Sequence, residues 1–379
     1  MKTHYSSVIV HQFDPERQQA GGIDTCIRAL IRNKPDDEQI LIIGTSIDRS
    51  LFKVHSLKCE GKDIKFIPVS RLQASASRRF LPHSIRMAVG MMLPLIRNTS
   101  PDTTIHVHRT DYLPIVHLFK KSKVVAFIHT NMKAANGSMS DSFWRHFPKL
   151  QGHLDATFLQ KTQLCVVFNK ETAESYKQVA PNVIYSTNWY NEEVFLANDE
   201  KTDISALWVG RLEQPKDPIL GLQALEAIAA GTANARTVLV GDGSLASNVS
   251  AWHTANQCTT DLLGSLPLAE VAAKLRRSEA LIMTSHFEGS PIVLFEAMAS
   301  GTPVIATKAA DPDSLIVDGI NGFQVPDRRP DSFKQAFERI DEISRKKVAE
   351  SVRAYSSIQV AGKIWKQIHN APSARNGGL

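Results

Sequence analysis

The stretch from residue 280 to residue 307 constrains the fold of this chain more than any other part of the sequence. Ala280–Thr284 is a short apolar run with the length of one buried strand. Ile292–Ser300 consists largely of strong helix formers, and Pro303–Ala306 is typical of a second buried strand. A strand, a polar loop, a helix and a second strand in this order form the βαβ crossover unit of a parallel sheet. The stretch therefore predicts an α/β protein.

The ends of the predicted helix carry their own signals. Ser290 is expected to be the N-cap, and Pro291 suits the first helical position because its missing N–H costs nothing there. Gly301, followed by a proline two positions later, ends the helix. The free N–H groups around Gly289–Val293, together with the helix dipole, predict an anion site that a diphosphate would suit.

Two carboxylates flank this anion site, Glu288 in the loop and Glu296 eight positions later in the helix. Carboxylates there can accept hydrogen bonds from hydroxyl groups, such as those of a sugar on one side and a ribose on the other. The simpler interpretation makes Glu288 a solvated loop residue and Glu296 a helix-surface residue. The spacing of the two residues alone does not separate these interpretations.

The letters around the two glutamates, EGSPIVLFEAMASGTPVIA, closely resemble the E-x7-E signature of retaining glycosyltransferases of family 4. The resemblance implies a GT-B fold, in which two Rossmann-like domains face across a cleft and a C-terminal helix crosses back to the N-terminal domain. Strands alternate with helices in both halves of the chain, as this α/β fold class requires. We expect an acceptor-side domain over residues 1–197, a donor-binding domain over 198–355 and the returning helix over 356–370.

Two cations follow the strand predicted at Ile204–Gly210, namely Arg211 and Lys216. Cations in a loop at the carboxyl end of a strand suit a diphosphate, although a solvated pair is the simpler interpretation. The resembled family has Gly-Arg at this strand end and a lysine shortly afterwards, and both cations bind the donor diphosphate. Here Asp217 stands where the family usually has glycine.

A second candidate site has the sequence Gly241-Asp242-Gly243-Ser244-Leu245-Ala246 after a predicted strand. This matches the G-x-G-x-x-A pattern of dinucleotide binding, with Asp261 about 20 residues further on. An NAD(P)-dependent enzyme, or another nucleotide-sugar enzyme that uses this loop, is therefore an alternative. The segment follows the second strand of its domain, not the first, and Gly-Asp-Gly recurs at this place in family 4. We therefore expect Gly241 and Asp242 to border the nucleobase of a nucleotide sugar.

The first domain offers two further candidates. Gly22 ends a Gly-Gly pair that opens a predicted helix after the strand Ser7–Val10, and His129 ends the buried strand Val124–His129. The resemblance implies a backbone contact of Gly22 with the donor diphosphate and a hydrogen bond from His129 to a sugar hydroxyl. A plain turn and an ordinary hydrogen-bonded histidine remain the simpler alternatives.

Metal binding and disulfides are not indicated by the sequence. His106 and His108 form an H-x-H pair on one face of a strand, but no third ligand stands at a telling spacing. The four cysteines are scattered without C-x-x-C spacing. The N-terminus has no signal-peptide pattern and no apolar run approaches a membrane span, so we expect a cytoplasmic protein. The net charge of +6 does not require nucleic acid as a partner.

One basic segment, Arg78–Arg97, combines four arginines with a broad apolar face when it is drawn as a helix. The simpler interpretation is a helix packed on the core with a solvated rim. The sharper interpretation is an interfacial segment that contacts anionic lipid at the inner face of a membrane.

Together these features predict the transfer of a sugar from a nucleotide-diphosphate donor to a hydroxyl, with retention at the anomeric carbon. Arg211, Lys216 and the helix start at Gly289, Ser290, Pro291 and Ile292 would stabilise the leaving diphosphate, so no metal or other cofactor is required. Glu288 would hold the donor sugar and Glu296 the ribose. A saccharide or lipid-linked saccharide is the expected acceptor, as in the synthesis of bacterial surface polysaccharides or lipopolysaccharide.

Overall fold

The computed structural model describes residues 5–17, 22–71, 83–118, 122–129, 155–198 and 200–373. The chain divides into two compact units. The first comprises Met1–Ser186 together with Ala361–Leu379, and the second is Thr187–Val360. The division falls at 186/187, whereas the sequence suggested 197/198. No helix in the described part of the chain is long and apolar enough to cross a membrane.

The first unit contains one sheet of eight strands in the order β3-β4-β2-β1-β5-β6-β7-β8. All neighbouring strands are parallel except β3 and β4. The strands are β1 Ser7–Val10, β2 Ile40–Ser46, β3 His55–Cys59, β4 Lys62–Arg71, β5 Thr104–Val107, β6 Lys123–Ile128, β7 Leu164–Val167 and β8 Val183–Tyr185. The helices among the described residues of this unit are α1 Gly22–Arg32, α2 His83–Asn98, α3 Leu113–Val116 and α4 Lys170–Tyr176.

The hairpin of β3 and β4 was not predicted from the sequence. Its turn consists of Glu60 and Gly61, whose φ angles of 51° and 73° are both positive. Two positive φ angles are typical of a tight two-residue hairpin turn, whose twist matches that of the strands. The turn residues therefore add an antiparallel edge to an otherwise parallel sheet.

The second unit contains six parallel strands in the order β11-β10-β9-β12-β13-β14. They are β9 Ile204–Val209, β10 Thr237–Val240, β11 Asp261–Leu262, β12 Ser278–Met283, β13 Val304–Thr307 and β14 Gly322–Val325. The helices are α5 Pro218–Gly231, α6 Ala246–Ala255, α7 Leu268–Arg276, α8 Ile292–Ala299, α9 Pro330–Phe337 and α10 Arg345–Ser351. The predicted βαβ unit is therefore β12-α8-β13.

The last helix, α11 Ser357–Asn370, begins in the second unit and ends in the first. Its Trp365 is 2% exposed, and the indole N–H donates to the carbonyl of Leu30 in α1 at 3.0 Å. His369 Nε2 lies 3.2 Å from the carboxylate of Glu38. An apolar anchor and polar contacts thus hold the end of α11 on the first unit, and the prediction of a returning helix is confirmed.

Candidate active site

The carboxyl ends of the strands in the second sheet gather most of the predicted site residues. From β9 the chain proceeds to β10 on one side, whereas β12 pairs with the other side of β9. The strand order therefore reverses between β9 and β12, and ligands of open α/β sheets bind at such a switch point. Arg211 and Lys216 follow β9, Gly241 and Asp242 follow β10, and Glu288 follows β12.

Lys216 and Glu288 meet at this switch point. Lys216 Nζ donates to Glu288 Oε1 at 2.5 Å, and the Ser285 hydroxyl donates to the same oxygen at 2.6 Å. The Glu288 side chain is 9% exposed and that of Lys216 is 23% exposed, so water screens the pair weakly. The structure thus places a cation and a carboxylate together, although 72 residues separate them in the sequence.

Arg211 lies at the same edge, in a different environment. It is exposed, and its charge helps to lower the pKa of Glu213, whose carboxylate also accepts hydrogen bonds from Ser244. None of the ion pairs found among the described residues involves the Arg211 guanidinium. Arg211 is therefore available to an anionic ligand.

The glycines of the GDGSLA segment pack against the end of β9. Gly241 has a φ of 155°, and a Cβ there would lie 1.9 Å from the carbonyl oxygen of Gly210. A Cβ on Gly243 would lie 2.6 Å from the carbonyl oxygen of Leu212. Asp242 is exposed, and its own carbonyl accepts from Leu212 N–H at 2.9 Å. The close packing of this loop against the end of β9 is enough to explain why both positions are glycine, without a bound dinucleotide.

The start of α8 differs from the prediction. Pro291, with a φ of −74° and a ψ of 114°, is the N-cap, and the helix begins at Ile292. Ser290 was predicted to be the N-cap, and this is wrong because its groups are used elsewhere. Asn188 Nδ2 donates to the Ser290 carbonyl at 2.6 Å, and the backbone N–H of Asn188 donates to the Ser290 hydroxyl at 3.3 Å. Gly289 and Ser290 thus form the loop before the helix, next to its first turn, where the leading N–H groups lack the partner that an earlier helical turn would supply.

Glu296 is buried inside α8 and is not a helix-surface residue. Six of the eight residues of this helix are buried, and Glu296 is one of them. Burial raises the pKa of its carboxyl group to about 8, because a charge is poorly solvated there. Glu296 is therefore mainly protonated at neutral pH, and a neutral carboxyl group can both donate and accept a hydrogen bond.

Sequence analysis missed Arg328, which follows β14 at the same edge of the sheet. Its guanidinium donates to Asp217 Oδ2 at 2.6 Å, to the Thr284 carbonyl at 2.9 Å and to the Ser285 carbonyl at 3.1 Å. It thereby bridges the loop that carries Lys216 and the loop that carries Glu288. No sequence motif indicates a role for Arg328, because its hydrogen-bond partners are distant from it in the sequence.

In the first unit, His129 lies at the carboxyl end of β6, beside histidines that follow β1 and β5. His129 Nε2 and His108 Nδ1 share a hydrogen bond of 3.1 Å, and the ring of His11 lies 6.0 Å from that of His108. Burial lowers the pKa of His129 and of His11 to about 3, so both rings are neutral at pH 7. Gly22 is the first, exposed residue of α1, and its neighbour Gly21 lies outside the described residues.

Three donor atoms in this unit lie close together. Cys26, His108 and His129 place one possible ligand atom each within 4.8 Å of one another. His106 turns elsewhere, with its Nε2 3.1 Å from the Ser7 hydroxyl, so the H-x-H pair is not the basis of this cluster. Burial raises the pKa of the Cys26 thiol well above its usual range, which opposes the thiolate that a metal ion would need. With the thiol protonated, the cluster consists of uncharged side chains.

Residues 191–355 match the family model of the glycosyl transferases group 1. Among curated relatives, an uncharacterized glycosyltransferase of Methanocaldococcus jannaschii is 31% identical over 121 residues, which cover 31% of this chain and 34% of that protein. The chain thus matches about a third of the length of the first curated relatives. The family-model match at residues 191–355 includes β9 to α10, and with it the switch point.

Solved structures match nearly the whole chain. Sucrose-phosphate synthase of Thermosynechococcus elongatus superimposes with a TM-score of 0.75 at 17% identity, covering 97% of this chain and 99% of that chain. HepE of Anabaena, solved in complex with UDP and glucose, gives 0.67 at 14% identity with coverages of 97% and 99%. The predicted GT-B fold with two Rossmann-like domains is thereby confirmed.

Proposed function

We propose that this protein transfers a sugar from a nucleotide-diphosphate sugar to a hydroxyl of a saccharide or lipid-linked saccharide, with retention at the anomeric carbon. The observation that carries the proposal is the Lys216–Glu288 pair at the switch point of a sheet whose residues 191–355 match the glycosyl transferases group 1. A cation beside a carboxylate suits a ligand with a phosphate next to hydroxyl groups.

The leaving group of this reaction is a nucleoside diphosphate, which gains negative charge as the bond from the anomeric carbon to the phosphate oxygen breaks. Lys216 and Arg211 would neutralise this charge, and the free N–H groups at the start of α8 would add hydrogen bonds. When the phosphate binds Lys216, Glu288 is released to accept hydrogen bonds from the donor sugar. Because these groups supply positive charge, the proposed reaction needs no metal ion.

The remaining roles follow the resemblance and the chemistry of each group. The buried carboxyl of Glu296 would bind the ribose hydroxyls, and Gly241 and Asp242 would border the base. His129 is proposed to hydrogen-bond a sugar hydroxyl, since a neutral ring can do so without acting as an acid. Gly22 is proposed to contact the diphosphate through its backbone.

The alternative NAD(P)-dependent function is less well supported. The glycines of its motif are needed for packing against residues 210–212, and the match to glycosyl transferases covers this segment. A lipid-linked acceptor, as in surface polysaccharide or lipopolysaccharide synthesis, would be met at a cytoplasmic membrane surface. The segment Arg78–Arg97, of which residues 78–82 lie outside the described part of the chain, is the proposed contact with anionic lipid there.

The first experiment is thermal unfolding with a panel of nucleotide sugars, free nucleotides and NAD(P), since a ligand of the folded state raises the melting temperature. UDP-glucose is the first donor to test, because related folds were solved with UDP and with UDP-glucose. We expect a shift with a nucleotide sugar, and a shift with NAD(P) alone would refute the proposal. Product NMR then tests retention at the anomeric carbon, and activity in EDTA tests metal independence.

A further inference from the structure

The helix α2 has two apolar faces, and the described part of the chain covers only one of them. Met87, Met91 and Leu95 are fully buried in the core of the first unit, where α2 packs on β4 and β2. The opposite face carries five large apolar side chains with exposures from 37% to 63%: Ile85, Val89, Met92, Leu93 and Ile96. Core packing therefore accounts for three of these eight large apolar residues.

These five exposed side chains form one stripe. At about 100° per residue they fall within an arc of roughly 100° around the helix axis, on the side away from the buried methionines. Most exposed apolar residues of a protein are scattered singly, whereas a contiguous patch indicates an interaction surface. The stripe thus indicates a partner with an apolar surface.

Positive charge borders the stripe. Arg86 and Arg97 lie along one edge of it, about 20–40° beyond Leu93 on the helical wheel. The sequence contains no aspartate or glutamate between Asp63 and Asp102, and this acid-free stretch includes the whole of α2. An apolar stripe edged with arginines matches a layer of acyl chains under anionic headgroups.

We propose that α2 docks this protein on an anionic lipid surface, with the five apolar side chains inserted below the headgroups. A second copy of the chain suits the same face less well. A two-fold contact would bring α2 against itself, and this helix has no carboxylate to pair with Arg86 or Arg97. Docking gives the proposed lipid-linked acceptor a surface on which to meet the enzyme, but it does not depend on the transfer reaction.

The test is co-flotation of the full chain with vesicles of phosphatidylcholine, with and without phosphatidylglycerol. We expect binding to the anionic vesicles that falls with added salt, and a loss of about tenfold or more in the double variant Val89→Ser/Ile96→Ser. The matched control is Leu118→Ser, a 65% exposed leucine of the same unit, which should bind as the wild type does.

Equal vesicle binding by the double variant and the wild type would overturn this proposal. So would the absence of binding to anionic vesicles, or a self-association in sedimentation experiments that the double variant abolishes. Sugar transfer to a soluble acceptor, measured on the same variants, reports separately on the proposed function.

A different observation concerns Arg328. Asp217 stands where the resembled family usually has glycine. It has a φ of 49° and a ψ of 63°, the left-handed conformation that a glycine would adopt at low cost. Its carboxylate accepts from Leu220 N–H at 3.2 Å and from Arg328 at 2.6 Å, and His286 Nε2 lies 3.2 Å away. The same guanidinium binds the carbonyls of Thr284 and Ser285. We infer that Arg328 is a positioning residue, which holds Lys216 and Glu288 in register through the residues next to them.

The variant Arg328→Met keeps much of the side-chain volume and removes all three hydrogen bonds. Arg329→Met is the matched control, since that arginine is 78% exposed and pairs with its near neighbour Asp327. The first readout is the extent of Lys216 acetylation in the unliganded protein, measured by mass spectrometry. We expect it to rise several-fold in Arg328→Met, because a loosened loop frees the amine from Glu288, and to stay unchanged in the control.

The second readout is calorimetric affinity for UDP, GDP and ADP. The nucleotide that the wild type binds should bind about tenfold more weakly to Arg328→Met, and Arg328→Lys should recover part of the loss. A lower melting temperature with unchanged Lys216 labelling would show a merely structural role and overturn the inference. A wild type that binds none of these nucleotides contradicts the proposed function, while the labelling result still tests Arg328.

Discussion

Replacing Glu296 by glutamine tests the buried carboxyl group of the candidate site. In the folded protein the pKa of Glu296 rises from 4.5 to about 8 through burial, whereas the unfolded chain keeps the ordinary value. Between these two values the folded state binds more protons than the unfolded state, so the free energy of unfolding falls as the pH rises. Glutamine has a similar shape and no charge to bury, so this loss should disappear.

The size of the effect follows from the two pKa values. At 1.36 kcal/mol per pKa unit, the wild type should lose roughly 2–3 kcal/mol between pH 5 and pH 7 through this group. For a unit of this size that corresponds to a fall in melting temperature of roughly 5–10 °C, which Glu296→Gln should not show.

The assay is thermal unfolding at several pH values, measured by differential scanning calorimetry. Glu270→Gln removes an exposed carboxylate from α7 of the same unit, and it should keep the pH dependence of the wild type. Parallel pH profiles for Glu296→Gln and the wild type would refute the argument, because they would mean that Glu296 ionises in the folded state as it does in water.

Three further predictions concern the reaction and the packing around it. Arg211→Ala should cut turnover by roughly 10²-fold, measured as nucleoside diphosphate release, and full activity in a folded variant would remove Arg211 from the site. Gly241→Ala should lower the melting temperature markedly, because its Cβ would lie 1.9 Å from Gly210 O, whereas Gly362→Ala, with open space around it, should not. The pH profile of kcat/KM should show no inflection near pH 6.5 from His129, whose pKa of about 3 keeps it neutral throughout; an inflection lost in His129→Gln would contradict this.

Much of the fold was accessible from sequence because its signals are local. Strand β1 has the predicted bounds Ser7–Val10, and Gly22, in the pair predicted to open a helix, is the first residue of α1. A buried parallel strand is a continuous apolar run, and a helix is an apolar period with a start and a stop.

The sequence by itself determined the α/β class, the βαβ unit around α8 and the residue types of the candidate site, because these depend on neighbours in the chain. Only the tertiary structure decided which of those residues meet. The packing of strands and helices brought Lys216 to Glu288, Arg328 to Asp217 and Cys26 to two histidines. It also buried Glu296 and left one face of α2 open. Burial, pairing and the resulting pKa values depend on residues far apart in sequence, so no local pattern could contain them.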